Sequence, residues 1–194
     1  AASSWGSLLA GRSGVAPIEG FDPERIDVKI ACELKGFDAE SVMERKEARK
    51  LDRCSLVAVA AAREAWADAG LELGDPERVG VIVGSAFGGA QTIQDGMQAF
   101  FEKGPHRIGP HLHGAMLVDT PGFEIARDKG VLGTNFSVTA ACATGAAAIG
   151  VAADLVRSGT MDVCLAGGVD TLITEYLMGG FCNMKVLGSP RPGE

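Results

Sequence analysis

Aromatic side chains are scarce in this sequence, at 6%, while glycine is plentiful at 27 of 194 residues. That balance suits close-packed helices and strands joined by tight turns. A basic stripe is also missing. The formal net charge is −7, which argues against direct nucleic-acid binding and serves solubility. No run of like charges is long enough to act as an interaction tail. No apolar run approaches the length of a membrane span. The five cysteines, Cys32, Cys54, Cys142, Cys164 and Cys182, include no CxxC pair. Neither a zinc site nor a redox dithiol is therefore indicated. Their odd number, with no signal peptide, points to a reducing compartment and a cytoplasmic protein. Internal repeats, low-complexity tracts and obvious linkers are absent too. What is present, 46% hydrophobic and 22% charged residues, is the make-up of one globular domain large enough to bury a core.

Residues 4–11 read as a short helix stopped by glycine. Residues 11–40, punctuated by Gly14, Pro17, Gly20, Pro23 and Gly36, read as a long connection. From Leu51 to Ala69 apolar residues recur at spacings of three and four, which predicts a helix ended by Gly70. Val79–Gly84 is a short β-branched run, expected to be a buried parallel strand. Further helices are expected over residues 91–102 and from His113 to Lys129, the latter kinked or restarted at Pro121. Strands are expected at Thr134–Thr139 and Asp162–Gly167. Between them an alanine-rich helix runs from Ala143 to Arg157. With no charge before Asp154, its start is expected to be buried. A short helix over 171–178 and a terminal loop from Gly188 follow. Strands alternating with helices give an α/β fold, a mixed but largely parallel sheet with helices on both faces.

One segment carries chemistry. In Val138-Thr139-Ala140-Ala141-Cys142-Ala143-Thr144-Gly145 a strand ends, a cysteine follows and a helix begins at once. Such a sharp strand-to-helix turn is a nucleophile elbow, which exposes one side chain. The small neighbours leave a thioester and its carrier arm a path to the sulfur. A helix amino terminus favours a thiolate through its partial positive charge and free N–H groups. Those N–H groups also suit the oxyanion formed in acyl transfer. Cysteine is more often a packing residue than a nucleophile, and Cys32, Cys54, Cys164 and Cys182 are expected to be buried filler. Cys142 is the candidate nucleophile.

Thr139–Gly145 resembles the active-site segment of the β-ketoacyl-acyl-carrier-protein synthases, the elongating condensing enzymes of type II fatty acid synthesis. Leu51-Asp52-Arg53, Ala61–Ala65, Asp68-Ala69-Gly70, Val79–Ser85 followed by Gly88-Gly89, and Asp162–Asp170 also resemble that family, in its order, across nearly the whole chain. The resemblance implies the amino-terminal half of a thiolase-like fold. It implies a homodimer, with the strand before Cys142 near the two-fold interface, and no cofactor. It further implies acyl carrier protein as partner and a reaction in two halves. Cys142 would take an acyl group from the carrier. Malonyl-acyl carrier protein would then lose carbon dioxide, and its carbanion would attack the acyl thioester. Either fatty acid or polyketide synthesis fits this chemistry.

The match has gaps. Family members open with a strand that has no counterpart here. Their two catalytic histidines, a lysine and the second oxyanion N–H lie in a carboxy-terminal half without counterpart in these residues. His106, His111 and His113 do not match those motifs and read as loop or surface residues. His111-x-His113 would need further ligands to bind a metal. The chain is therefore expected to be truncated at both ends and unable to complete a condensation by itself. Phe87, in the turn after Val79–Gly84, matches a position at the dimer interface near the acyl pocket. It either packs in that interface or limits acyl-chain length. A noncatalytic partner subunit of the chain-length-factor type is an alternative, against which Cys142 stands. A thiolase is another, but its cysteine segment looks different. A papain-like hydrolase lacks a fitting histidine.

Overall fold

A computed structural model describes residues 2–188. They divide into two compact units, one of residues 38–171 and a smaller one of residues 2–37 with 172–188. In the smaller unit α1 (Ala2–Leu9) precedes an antiparallel ribbon of β1 (Ala16–Pro17) and β2 (Ile30–Ala31). Two-residue strands leave no alternation to detect, so this ribbon is invisible in the sequence pattern. The unit's core joins Ile18 and Ile26 to Met178 and Cys182. The last two come from a helix over Glu175–Asn183. It begins later than residue 171 because Thr174 is its cap, accepting from Leu177 N at 3.3 Å. The expected terminal loop lies, from Ser189 on, outside the described residues.

The larger unit opens with α2 (Arg45–Ala48) and α3 (Arg53–Asp68). Asp52 is buried and caps α3 by accepting from Cys54 N at 2.9 Å. Gly70, with φ +61°, follows its end in the left-handed conformation that glycine tolerates. β3 (Val79–Gly84) pairs in parallel with β4 (Val163–Gly168), from Val79 opposite Val163 to Gly84 opposite Gly168. Every residue of β3 is buried. Since successive residues of a strand point to opposite faces, both faces of β3 are covered.

After α4 (Ala90–Lys103), the helix expected from His113 to Lys129 is two helices, α5 (Leu112–Met116) and α6 (Thr120–Lys129). Pro121 lies in the first turn of α6, where its missing N–H costs no helical bond, so it restarts the helix rather than kinking it. α6 and α7 (Thr144–Arg157) both pack on β3. Ile82 and Ala148 are fully buried at the α7 contact, with Ala152, Val138, Val151 and Leu155 around them. Burial of each branched side chain of this kind contributes about 1.5–3 kcal/mol.

Two expectations fail in this unit. Thr134–Thr139 is not a regular strand: a single bridge joins Asn135 to Val81. Beyond it the hydroxyl of Ser137 donates to Val83 O at 2.7 Å, occupying an acceptor that a continuing ladder would use. Nor is the start of α7 buried throughout. Thr144, Ala148 and Ala152 face inward, whereas Ala143, Ala146, Gly150 and Ile149, the last 57% exposed, do not. A run of small residues carries no polar stripe to mark the open side.

Candidate active site

Cys142 is exposed and stands two residues before the first residue of α7. The residue before it, Ala141, has φ +48°. That region costs an L-residue roughly 1–2 kcal/mol, so the surrounding structure must impose it. Thr144, 3% exposed, supplies the brace. Its Oγ1 accepts from Ala140 N at 2.9 Å and donates to Ala141 O at 2.7 Å. Ala143 N donates to Ala140 O at 3.0 Å and Thr144 N to Ala141 O at 3.1 Å. One buried hydroxyl at the start of α7 thus ties down the two residues before the thiol. Among the described residues the backbone N–H of Cys142 has no acceptor. A free donor beside an exposed thiol is an arrangement that would suit the oxyanion formed if that sulfur attacked a carbonyl.

Glycines let this turn form. A Cβ on Gly84 would stand 2.0 Å from Val138 O and 2.9 Å from Thr144 Cγ2. A Cβ on Gly168 would stand 2.9 Å from Gly145 N and Cα. The end of β3, the end of β4, the segment before Cys142 and the first turn of α7 therefore meet backbone to backbone. Of the pair Gly167-Gly168, Gly168 makes the close approach, and Gly167 has open space around its Cα.

The loop after β3 forms the other side of the site. Thr139 Oγ1 donates to Ser85 O at 3.2 Å, tying that loop to the Cys142 segment. The carboxylate of Asp170 accepts from Ser85 Oγ at 2.7 Å, Ala86 N at 3.1 Å and Phe87 N at 3.2 Å. Ser85 Oγ in turn accepts from Gly88 N at 2.8 Å. Phe87, on this loop, is 42% exposed.

The histidines stay apart from this arrangement. His106 lies in a turn at Pro105–Arg107, His111 and His113 flank the start of α5, and all three are exposed. Cavities of about 390 and 370 Å³ adjoin Lys50, Leu51 and His111, and neither is lined by Cys142 or Phe87. Among the described residues no group of three or more His, Cys, Asp or Glu could hold a metal ion. Among the same residues no helix is long and apolar enough to cross a membrane.

The other cysteines separate by environment. Cys54 is buried, and burial pushes its thiol up to about 12; Asp52 and Asp170 add to the shift and the Ser85 hydroxyl opposes it. Burial also raises the thiol of the half-buried Cys164, against a hydrogen bond to the Gly80 backbone. Cys182 is buried. Cys32 corrects the expectation of buried filler: it is exposed, beside β2 in a ribbon of only two strands, which offers no layer to cover it. Sequence reasoning also missed Thr144, Ser85 and Asp170. Thr144 had a readable signal, a hydroxyl at the first helical position after a cysteine turn. Asp170 had none in local spacing, being 85 residues from Ser85.

Residues 1–193 match the family model described as "Beta-ketoacyl synthase, N-terminal domain". The chain is 38% identical over 189 residues to a 3-oxoacyl-[acyl-carrier-protein] synthase 2 of Vibrio cholerae, covering 96% of this chain and 46% of that protein. Among solved structures, the ishigamide ketosynthase/chain length factor superposes with a TM-score of 0.87 at 31% identity, over 97% of this chain and 47% of the other. A type II PKS acyl-carrier protein in complex with its ketosynthase bound to the hexaketide gives a TM-score of 0.72 at 26% identity, over 77% of this chain and 43% of the other. These neighbours share the thiolase-like fold that the family resemblance implies, an α/β arrangement as the strand and helix order predicts. The chain spans about half the length of the curated relatives it matches.

Proposed function

This chain belongs to the β-ketoacyl synthase family, and we propose that the complete protein condenses an acyl thioester held on Cys142 with malonyl-acyl carrier protein, giving a β-ketoacyl-acyl carrier protein. The observation that carries this is the Cys142 elbow: an exposed thiol at a helix amino terminus, on a backbone braced by Thr144. The thiolate attacks the acyl thioester carbonyl. The Cys142 N–H donates to the oxyanion, and the carrier thiolate leaves, so the acyl group now rests on sulfur. In the second half the malonyl thioester loses carbon dioxide. The resulting carbanion forms a carbon–carbon bond to the acyl carbonyl and expels the Cys142 thiolate.

A carrier-protein partner is supported by relatives that are 3-oxoacyl-[acyl-carrier-protein] synthases and by the neighbour in complex with its acyl-carrier protein. A cytoplasmic location goes with this partner. A homodimer is supported by the segment before Cys142, which has β3 as its one strand neighbour among the described residues. It is supported too by exposed apolar side chains in or near that segment along the chain, Leu132 and Phe136, and on α7, Ile149. A second copy would cover this face. Sedimentation of the complete protein as a monomer at micromolar concentration would overturn the dimer.

One neighbour combines a ketosynthase with a chain length factor, so a noncatalytic partner subunit is the second reading. An exposed cysteine in a built elbow favours the catalytic one. The test is to incubate the complete protein with acyl- and malonyl-acyl carrier protein and detect the β-ketoacyl product by mass spectrometry. Cys142→Ser is expected to lower product formation by several orders of magnitude. Condensation at the wild-type rate by that variant would remove Cys142 from the reaction.

A further inference from the structure

We propose that Asp170 is a positioning residue for acyl-chain selection: its carboxylate clamps the loop 85–88 and so fixes Phe87 beside the Cys142 segment. This rests on the acyltransfer function above. Val169 N donates to Gly84 O at 3.0 Å, carrying the β3–β4 ladder one residue past β4. The next residue, Asp170, therefore arrives opposite the loop that follows β3. Its carboxylate takes the N–H groups of Ala86 and Phe87 directly. It takes Gly88 indirectly, because Ser85 Oγ donates to Asp170 and accepts from Gly88 N. All three N–H groups of the turn thus depend on one carboxylate, and bonds to an ionised acceptor are the strong ones.

The loop has no retreat on its other side. A Cβ on Gly88 would stand 2.2 Å from Met116 O, and one on Gly89 would stand 2.3 Å from Ala115 O. Phe87 is held between a carboxylate that anchors its own N–H and a backbone wall behind the next two residues. Ser85 O of this loop is tied to the segment before the thiol by a hydrogen bond from Thr139 Oγ1 at 3.2 Å, three residues short of Cys142, whereas Asp170 holds the N–H of Phe87 itself. Loss of Asp170 should therefore move Phe87 more than it moves Cys142. It changes which acyl groups are accepted more than how fast the preferred one reacts.

The experiment compares Asp170→Ala, Asp170→Asn, Phe87→Ala and the double variant Phe87→Ala/Asp170→Ala in the complete protein. The rate of Cys142 acylation is measured across a chain-length series of acyl carrier proteins. Asp170→Ala is expected to shift preference toward longer chains by about tenfold, in the same direction as Phe87→Ala. Asp170→Asn keeps an acceptor oxygen and should shift it by less than about threefold. The double variant should match Phe87→Ala, since both changes act through one ring. Amide hydrogen exchange at Ala86 and Phe87 should quicken in Asp170→Ala while Val81 and Ile82 stay protected. A residue that merely stabilised the fold would slow all chain lengths alike and speed exchange throughout β3, and either result overturns the clamp. An unaltered chain-length profile in Asp170→Ala, with wild-type acylation intact, overturns the clamp alone. A wild-type protein that takes no acyl group onto Cys142 overturns the underlying function and this inference with it.

Discussion

Replacing Thr144 by valine removes one hydroxyl and leaves the side-chain shape nearly unchanged, so no cavity opens. The hydroxyl makes two hydrogen bonds, one from Ala140 N and one to Ala141 O. At about 1 kcal/mol net each, Thr144→Val should destabilise the protein by roughly 2 kcal/mol. The larger consequence is geometric. Ala141 sits at φ +48°, a conformation costing roughly 1–2 kcal/mol that the brace holds in place. Without the brace the turn relaxes and Cys142 shifts. A displacement of about 1 Å can cost on the order of a hundredfold in rate. Thr144→Ser keeps the oxygen and loses only the Cγ2 methyl, so it should lose about 1 kcal/mol and keep most of the rate. Urea unfolding measures the stability, and acylation of Cys142 in the complete protein measures the geometry. If Thr144→Val acylates at the wild-type rate, or if Thr144→Ser is as impaired as valine, the hydroxyl does not hold the elbow.

A Cβ at Gly84 would meet Val138 O at 2.0 Å, so Gly84→Ala must push the facing backbones apart; a loss of about 1–3 kcal/mol and slowed acylation are expected. Gly150→Ala, with open space around it, should instead stabilise α7 by about 0.5–1 kcal/mol, measured by the same unfolding assay. Phe87→Ala should favour longer acyl chains, each methylene newly buried contributing about 0.8 kcal/mol, as read from acylation rates across chain lengths; an intact dimer with an unchanged profile rules out the gate. Arg63 Nε bonds both Asp128 oxygens, at 3.2 and 3.0 Å, and holds that carboxyl below the usual range despite some desolvation. A depressed carboxyl stabilises the fold above its unfolded pKa, and this contribution is lost as pH falls through the folded value. Asp128→Asn should therefore be less stable than wild type by about 0.5–1 kcal/mol at pH 7, allowing for solvent screening, with the gap closing as the pH falls below the ordinary carboxylate range.

Apolar residues at spacings of three and four made α3 legible, alanine propensity made α7 legible, and the β-branched run Val79–Gly84 marked β3, whose residues are all buried. Cys142 stood out as a candidate because small residues flank it just before an alanine-rich helix, and the turn it occupies there is exposed. Features set by tertiary geometry were not legible. Ser137 ends the ladder at Thr134–Thr139 by a side-chain bond that no propensity encodes. The exposed side of α7 is hidden by the uniform smallness of Ala143, Ala146 and Gly150. Asp170 acquires its role only when the parallel pairing of β3 with β4 brings it beside Ser85. Cys32 is exposed for want of a covering layer, something its neighbours in sequence do not reveal.

Acyl transfer to Cys142 is tested most directly by mapping the acyl group. The complete protein is incubated briefly with an acyl carrier protein thioester, digested, and its cysteine peptides are weighed. One acyl group is predicted on the Cys142 peptide. None is predicted on Cys32, the other exposed cysteine, or on Cys54, whose thiol burial pushes up to about 12. An acyl group on Cys32 instead of Cys142, or no acyl group on a folded protein, would contradict the assignment of Cys142 as the acceptor.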